Sequence, residues 1–399
     1  MSNANDNPLL ARQDTLSEAP TTPRRTRLPP RAPLPELRLR RATQPLTDQW
    51  RRTPVEPRAT TLLGVSFRPL QAEAMGLDGP ESLRDLLAYP FQIIRLAAYW
   101  NRIETAQRQY DFEALDWQVD AAERAGKRII LAVGAVKAFG YPEVYVPAHH
   151  LGEPLREGRL VTPSTHASLL DAAAAFVTHT VERYRDRSAI VAWQVEHEAV
   201  DPLGVEHSWR LSADFARAEV AEVRAADPTR PIMMNGFLPT SLPVRAQQWW
   251  STRDQGDSLA VAQRLADIVG VDYYPRHALI GLGPRTIYLD GAASRTPRSR
   301  QRALAAWASA APGRRLMISE GQAEPWEAVT TPPNPTERAM ASCLPEHVIE
   351  NYNHCMGWAR ENGVSLYAYL FWGVEYWLAR QRSGDASYTR AFARILEHA

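Results

Sequence analysis

The stretch AIVAWQVEHE, residues 189–198, starts as an apolar run and closes on three ionisable side chains, Glu196, His197 and Glu198. A solvated strand end carries charges too, so this run alone decides nothing. Seven further runs have the same apolar texture: TLLGVSF (61–67), FQIIRLAAYW (91–100), RIILAVGA (128–135), PIMMNGF (231–237), DIVGVDYYP (267–275), RLMISEGQAEPW (315–326) and SLYAYLFWGVEYW (365–377). A helix-like stretch follows each one. After the second, Phe112, Leu115, Val119 and Ala122 recur at helical spacing until Gly126 stops the pattern. Near-continuous apolar strands alternating with helices indicate a parallel sheet buried on both faces. Eight such units fit a closed (β/α)8 TIM barrel over residues 59–399. An open doubly wound sheet is disfavoured, because no Gly-rich dinucleotide fingerprint follows the first strand.

Composition narrows the function classes. The net charge of +1 gives no global attraction to nucleic acid or to an anionic membrane. No apolar run is long enough to span a bilayer, and the N-terminus lacks the apolar core of a secretory signal, so a cytoplasmic location is expected. The two cysteines, Cys343 and Cys355, make neither a disulfide framework nor a metal-type spacing. Lysine occurs only at 127 and 137, against 44 arginines, a bias expected from genomic base composition. Residues 1–58 stand apart, with 11 arginines, 6 acids and 10 of the 31 prolines, and read as a disordered basic leader.

In a (β/α)8 barrel the chemistry lies at the carboxyl ends of the strands. Those ends carry Arg95 and Trp100 (second), Glu196, His197 and Glu198 (fourth), Asn235 (fifth), Asp272, Tyr273 and Tyr274 (sixth), Ser319 and Glu320 (seventh), and Trp372 and Glu375 (eighth). Glutamates on strands four and seven face each other across such a mouth. Glycosidic cleavage needs that pair, one carboxyl to protonate the leaving oxygen and the other to attack the anomeric carbon or activate water. Aromatic faces suit the C–H face of a sugar ring.

These residues resemble clan A of the glycoside hydrolases, the retaining barrel group that includes the family-five endoglycosidases, over roughly residues 60–399. The family ends strand four in Asn-Glu, often Asn-Glu-Pro; the matching residues here are His197-Glu198-Ala199. The resemblance implies that Glu198 is the general acid/base and Glu320, in LMISEGQAEPW, the nucleophile. It implies that Arg95 supports the nucleophile, that Tyr274 rather than Tyr273 hydrogen-bonds it, and that Trp372 floors the sugar site. The segment from Asn101 to Leu131 is also similar to the clan's link between strands two and three. Histidine at 197 departs from the family asparagine, which helps to hold the substrate's 2-hydroxyl. Histidine is larger and ordinarily titrates near neutrality.

The expected activity is retaining hydrolysis of a β-linked glycoside or oligosaccharide by double displacement, with no cofactor and no metal. A non-catalytic carbohydrate-binding barrel and a transglycosylase are the alternatives. Strict alternation places Glu196 and Glu198 on one side of strand four and His197 on the other, so both His197 and Glu198 reach the site only if the strand bends at its end. Glu196 reads as a rim or structural acid, and His149 and His150 as a loop pair. Glu324 reads equally as a sugar contact or a salt-bridge partner, and Trp249 and Trp250 equally as a sugar platform or a loop anchor. The EHE triplet lacks HExxH spacing and is not read as a metal motif.

Overall fold

The computed structural model describes residues 36–41, 48–140, 143–152, 158–201, 209–252, 254–282, 285–325 and 342–399. Eight parallel strands close a barrel: β1 Leu62–Ser66, β2 Ile93–Ala97, β3 Arg128–Ala132, β4 Ile190–Gln194, β5 Ile232–Phe237, β6 Ile268–Tyr273, β7 Arg315–Gln322 and β8 Leu366–Trp372. Closure is made where β8 pairs with β1. The helices that follow them are α1 Gly79–Leu87, α2 Glu113–Arg124, α3 Ala167–Tyr184, α4 Ala213–Ala226, α5 Ser258–Leu265, α6 Arg298–Ser309, α7 Pro345–Glu361 and α8 Ser387–His398. The expected (β/α)8 order is the observed one. Several helix starts are set locally: Asp78, Ser212 and Asp257 each accept the backbone N–H three residues on.

Two features were not legible in the sequence. The link after β6 carries an antiparallel hairpin, Arg276–Leu282 with Arg285–Asp290, and Glu36–Arg41 adds to it as a third strand. The packed body also begins before the composition break at residue 58. Trp50 is buried in the main core, and Tyr352 and Asn353 of α7 bond to the carbonyls of Glu56 and Pro54. The rest of the expected leader, 1–35 and 42–47, lies outside the described residues. Among the described residues no helix is long and apolar enough to cross a membrane. Cys343 and Cys355 are buried and form no disulfide.

Strand parity builds the lumen in two tiers. Ile93, Ile130, Ala192, Met233, Ile268, Met317, Ala368 and Leu370 form a small apolar cluster of their own inside the barrel. Two residues further along, the same faces carry Arg95, Gln194, Asn235 and Ser319. These polar side chains form a nearly continuous hydrogen-bonded girdle. Arg95 Nε donates to Ser66 Oγ at 2.9 Å, and its Nη1 lies 3.4 Å from Gln194 Oε1. Gln194 Nε2 donates to Asn235 Oδ1 at 3.1 Å, and Asn235 Nδ2 and Ser319 Oγ donate to Asp272 at 2.6 and 2.7 Å.

Parity breaks at two strand ends. On β7 the pairing skips a residue, so that Val271 faces Ile318 while Asp272 faces Glu320. That bulge turns Ser319 and Glu320, consecutive residues, toward the same lumen. Beyond β4, Glu196 and Glu198 both take left-handed backbone, with φ of 54° and 42°. Gly134 lets the end of β3 pass this distorted segment: a Cβ there would lie 2.0 Å from the Glu196 amide nitrogen. Since that neighbour is backbone, Gly134→Ala is expected to cost about 3 kcal/mol, measured as a lower urea midpoint at unchanged m-value.

Candidate active site

Glu320 sits on the lumen side of the β7 bulge and accepts from two sides. Arg95 Nη2 donates to its Oε1 at 2.5 Å, and the Tyr274 hydroxyl donates to its Oε2 at 2.5 Å. Parity explains the choice of tyrosine: Gly270, Asp272 and Tyr274 share the lumen face of β6 and its extension, while Tyr273 packs into the main core. Arg95 is fully buried, with its guanidinium 4.0 Å from the ring centre of Phe139 and 5.6 Å from that of Trp372.

The bend expected after β4 is present, and it brings both His197 and Glu198 into the mouth. His197 Nδ1 accepts from Asn235 Nδ2 at 2.8 Å and lies 3.5 Å from Glu320 Oε1. Both Asn235 protons are thereby spent, on His197 and Asp272, which leaves the imidazole proton on Nε2. Burial, and then the positive charges of Arg95 and Lys137, push His197 well below its usual range. It is a neutral donor, so its ordinary titration near neutrality does not apply here.

Glu198 is buried, and Asp272 is the charged neighbour that acts on its carboxyl most strongly. Burial raises Glu198 well above the carboxylate range, with Asp272, Asp201, Glu143 and Glu320 adding like charge. Asp272 is raised too, by burial first and then by Glu320. Two neighbouring acids that are both raised resist ionising together, and Asp272 already accepts from Ser319 and Asn235, so a retained proton is favoured on Glu198.

Glu196 holds the loop that roofs the site. Its carboxylate accepts the backbone N–H groups of Val136 and Lys137 at 2.8 and 2.6 Å, and its charge, after burial, raises the neighbouring Glu219 carboxyl well above its usual range. These bonds offset the cost of its left-handed backbone, on the order of 1–3 kcal/mol. In the same loop Lys137 Nζ donates to the carbonyls of Glu198 and Asp201 at 2.6 and 3.0 Å, and His197 N–H returns a bond to the Lys137 carbonyl. Lys137, Phe139 and Glu143 were not read from the sequence as site residues. A signal existed for Lys137: it is one of two lysines in an arginine-biased chain, and both turn out to be carbonyl clamps, Lys127 serving Tyr89 and Phe91. A compact ammonium does this where a planar guanidinium would not fit.

Other sequence readings divide. Trp372 borders the mouth and lies under the Arg68 guanidinium at 4.2 Å; Arg68 in turn binds Glu324 and Glu375. Glu324 is thus a buried ion-pair partner. Asn235 is brought into the mouth, bonded to His197 and Asp272. Trp100 is not: it is fully buried, stacked against His150 and Phe176, with its indole N–H spent on Glu104 at 2.6 Å. His150 and His149 also face Glu104, at 3.0 and 3.5 Å. Trp249 and Trp250 are exposed.

Among the described residues, two clusters each bring three side chains of metal-ligating type close together, Glu104 with His149 and His150, and His197 with Asp272 and Glu320. In the first, the Glu104 oxygens already accept from Trp100, Arg108 and His150. In the second, the Arg95 guanidinium 2.5 Å from Glu320 opposes a second cation.

The chain is similar to glycoside hydrolases built on this barrel. Residues 82–215, roughly a third of the chain, match the Glyco_hydro_42 family model, described as beta-galactosidase. Among solved structures it is similar to GH5_18 from Streptomyces cattleya in complex with GlcNAc, at 13% identity over 85% of this chain and 80% of that one, with a TM-score of 0.55. A Glu-to-Ala variant of that protein in complex with Manb1-4GlcNAc gives 15% identity, coverages of 84% and 80%, and a TM-score of 0.56. At these identities the likeness is one of fold. No curated protein matches the chain.

Lys137→Met leaves the Glu198 and Asp201 carbonyls buried without their donor. It is expected to lower stability by about 3 kcal/mol, read from urea denaturation.

Proposed function

We propose that the protein is a retaining glycoside hydrolase acting on a β-linked glycoside, with Glu320 as nucleophile and Glu198 as general acid/base. The observation that carries this reading is the unequal treatment of two buried glutamates in one barrel mouth. Glu320 receives donors on both oxygens from Arg95 and Tyr274, which suits a carboxylate that must attack. Glu198 is held protonated by burial and neighbouring carboxylates, which suits an acid.

Glu320 attacks the anomeric carbon while the proton on Glu198 passes to the departing oxygen. The bond to the leaving group breaks and a glycosyl ester forms on Glu320. Glu198, now ionised, takes a proton from water as that water releases the sugar with retained configuration. Trp372 and Phe139 border the space where a sugar ring would lie. The partner is a glycoside or oligosaccharide, and no step calls for a metal or cofactor.

Hydrolysis of a panel of aryl β-glucosides, galactosides, mannosides, xylosides and N-acetylglucosaminides tests the reading. Turnover of one or more is expected, abolished in Glu320→Ala and partly restored by azide in Glu198→Ala, because azide needs no general base. A folded wild type that binds oligosaccharide and releases no reducing end contradicts the reading and leaves a sugar-binding barrel.

The pH profile supplies a second test. The acid form of Glu198 is the active one, so kcat/KM falls as pH rises through its raised pKa. With an activated leaving group, Glu198→Ala is expected to lose that basic limb; a limb that survives assigns it to another group.

A further inference from the structure

The barrel has a second opening, at the amino ends of its strands, and the double displacement uses none of it. A cavity of about 380 Å³ lies there, within the range of about 300–1,000 Å³ typical of small-molecule sites. Strand parity aims two arginines at it. Ile130 and Met317 belong to the apolar tier inside the barrel, and two residues earlier on the same faces stand Arg128 and Arg315, the first residues of β3 and β7. Arg314 joins them from the link between α6 and β7, and Leu62, Val364 and Tyr367 add apolar walls.

No acid lines this cavity. Elsewhere arginines meet carboxylates, as Arg183, Arg187 and Arg230 do. Among the described residues Arg128, Arg314 and Arg315 form no ion pair. Two of them are nonetheless held in place, Arg315 over the Tyr367 ring at 4.8 Å and Arg314 over the Trp307 ring at 5.1 Å. A ring face holds a guanidinium without accepting its in-plane N–H groups, so the donor fork stays available. The single side-chain bond to protein is a long one, from Arg314 Nη1 to the Trp307 carbonyl at 3.4 Å.

We propose that this cavity binds a small organic phosphate. Its phosphate oxygens accept from the three guanidiniums, and its carbon skeleton lies against Leu62, Val364 and Tyr367. Three cations gathered without a counter-charge repel one another, and an anion among them removes that cost. A phosphate brings up to two negative charges and three strong acceptor oxygens, which suits three forks better than the single charge of a carboxylate. The apolar walls call for a carbon skeleton beside it, and the concave shape admits a small molecule rather than a nucleic acid strand. Arg315 opens β7 and Glu320 lies five residues on, roughly 16 Å at ~3.3 Å per residue, with the apolar tier between. The site is therefore separate from the mouth, and the inference stands apart from the glycosidase reading.

Isothermal titration calorimetry on the full chain, at low and fixed ionic strength, compares phenyl phosphate, inorganic phosphate and phenol. Phenyl phosphate is expected to bind tightest, inorganic phosphate several-fold more weakly, and phenol without saturation. Arg128→Gln, Arg314→Gln and Arg315→Gln are each expected to weaken phenyl phosphate about tenfold. Arg315→Lys, which keeps the charge and loses the fork, falls between. All three side chains are exposed, so the variants are expected to keep the wild-type melting temperature within a few degrees, which checks their folding. Affinity that is unchanged in an Arg314→Gln/Arg315→Gln double variant overturns the proposal and places the anion elsewhere, for instance on the arginine-rich residues 1–58. Equal affinity for the two phosphates overturns the organic ligand, and a wild type that binds neither overturns the site.

Discussion

A β-strand sends only every second side chain into a barrel, and this site needs neighbours. Ser319 and Glu320 both serve the lumen, and so do His197 and Glu198. The chain meets that demand with two local departures from the strand, a bulge on β7 and two left-handed residues after β4. Each departure is held in place by other parts of the mouth. Asp272 takes the Ser319 hydroxyl and Arg95 takes Glu320, which seats the bulge. Two loop N–H groups bind Glu196 at the bend, and Gly134 gives the backbone room. The regular barrel is the rigid support, and the chemistry lies where its regularity stops.

Charge balance is the second constraint. Glu143, Glu198, Asp272 and Glu320 converge in a space whose bound cations are Arg95 and Lys137. Four carboxylates cannot all ionise there. Arg95 is spent on Glu320, and burial raises both Glu198 and Asp272 above the carboxylate range. Lys137 bonds to carbonyl oxygens and acts on the acids only through space, and Glu143 Oε2 has no hydrogen-bond partner among the described residues. A similar balance recurs at the loop's root, where burial and the charge of Glu196 raise the Glu219 carboxyl. The division of roles between the two glutamates proposed for catalysis thus follows from which acid receives the guanidinium. Further along the rim, Arg68 pairs with both Glu324 and Glu375 and lies over the Trp372 ring, which keeps that ring in place.

The eight-fold alternation was legible because parallel strands buried on both faces leave unbroken apolar runs, and helices between them leave a 3.6-residue period. The positions of Arg95, Glu198, Tyr274, Glu320 and Trp372 at or just beyond strand ends could be read for the same reason, while the roles expected of them came from the family resemblance. Loop contributions were hidden. Glu143 and Lys137 lie in a segment with no periodicity, and their meeting with His197 depends on a turn fixed by long-range bonds. Asp272 was visible as a strand-end acid, but its partnership with Glu198 depends on the bend after β4. Trp100 shows the converse error. Its position after β2 fits a sugar contact, yet helix geometry turns its indole four residues on to Glu104, inside the core.

The central claim is that Glu320 forms a bond to the sugar. Glu198→Ala, mixed with an activated aryl glycoside and quenched within seconds, isolates that step because the variant lacks the base that would release the product. Intact-protein mass spectrometry followed by peptide mapping reads the outcome. A mass increase of one dehydrated sugar, on the peptide carrying Glu320, is the expected result; release of the aryl group with no adduct, or with an adduct on another residue, would contradict it.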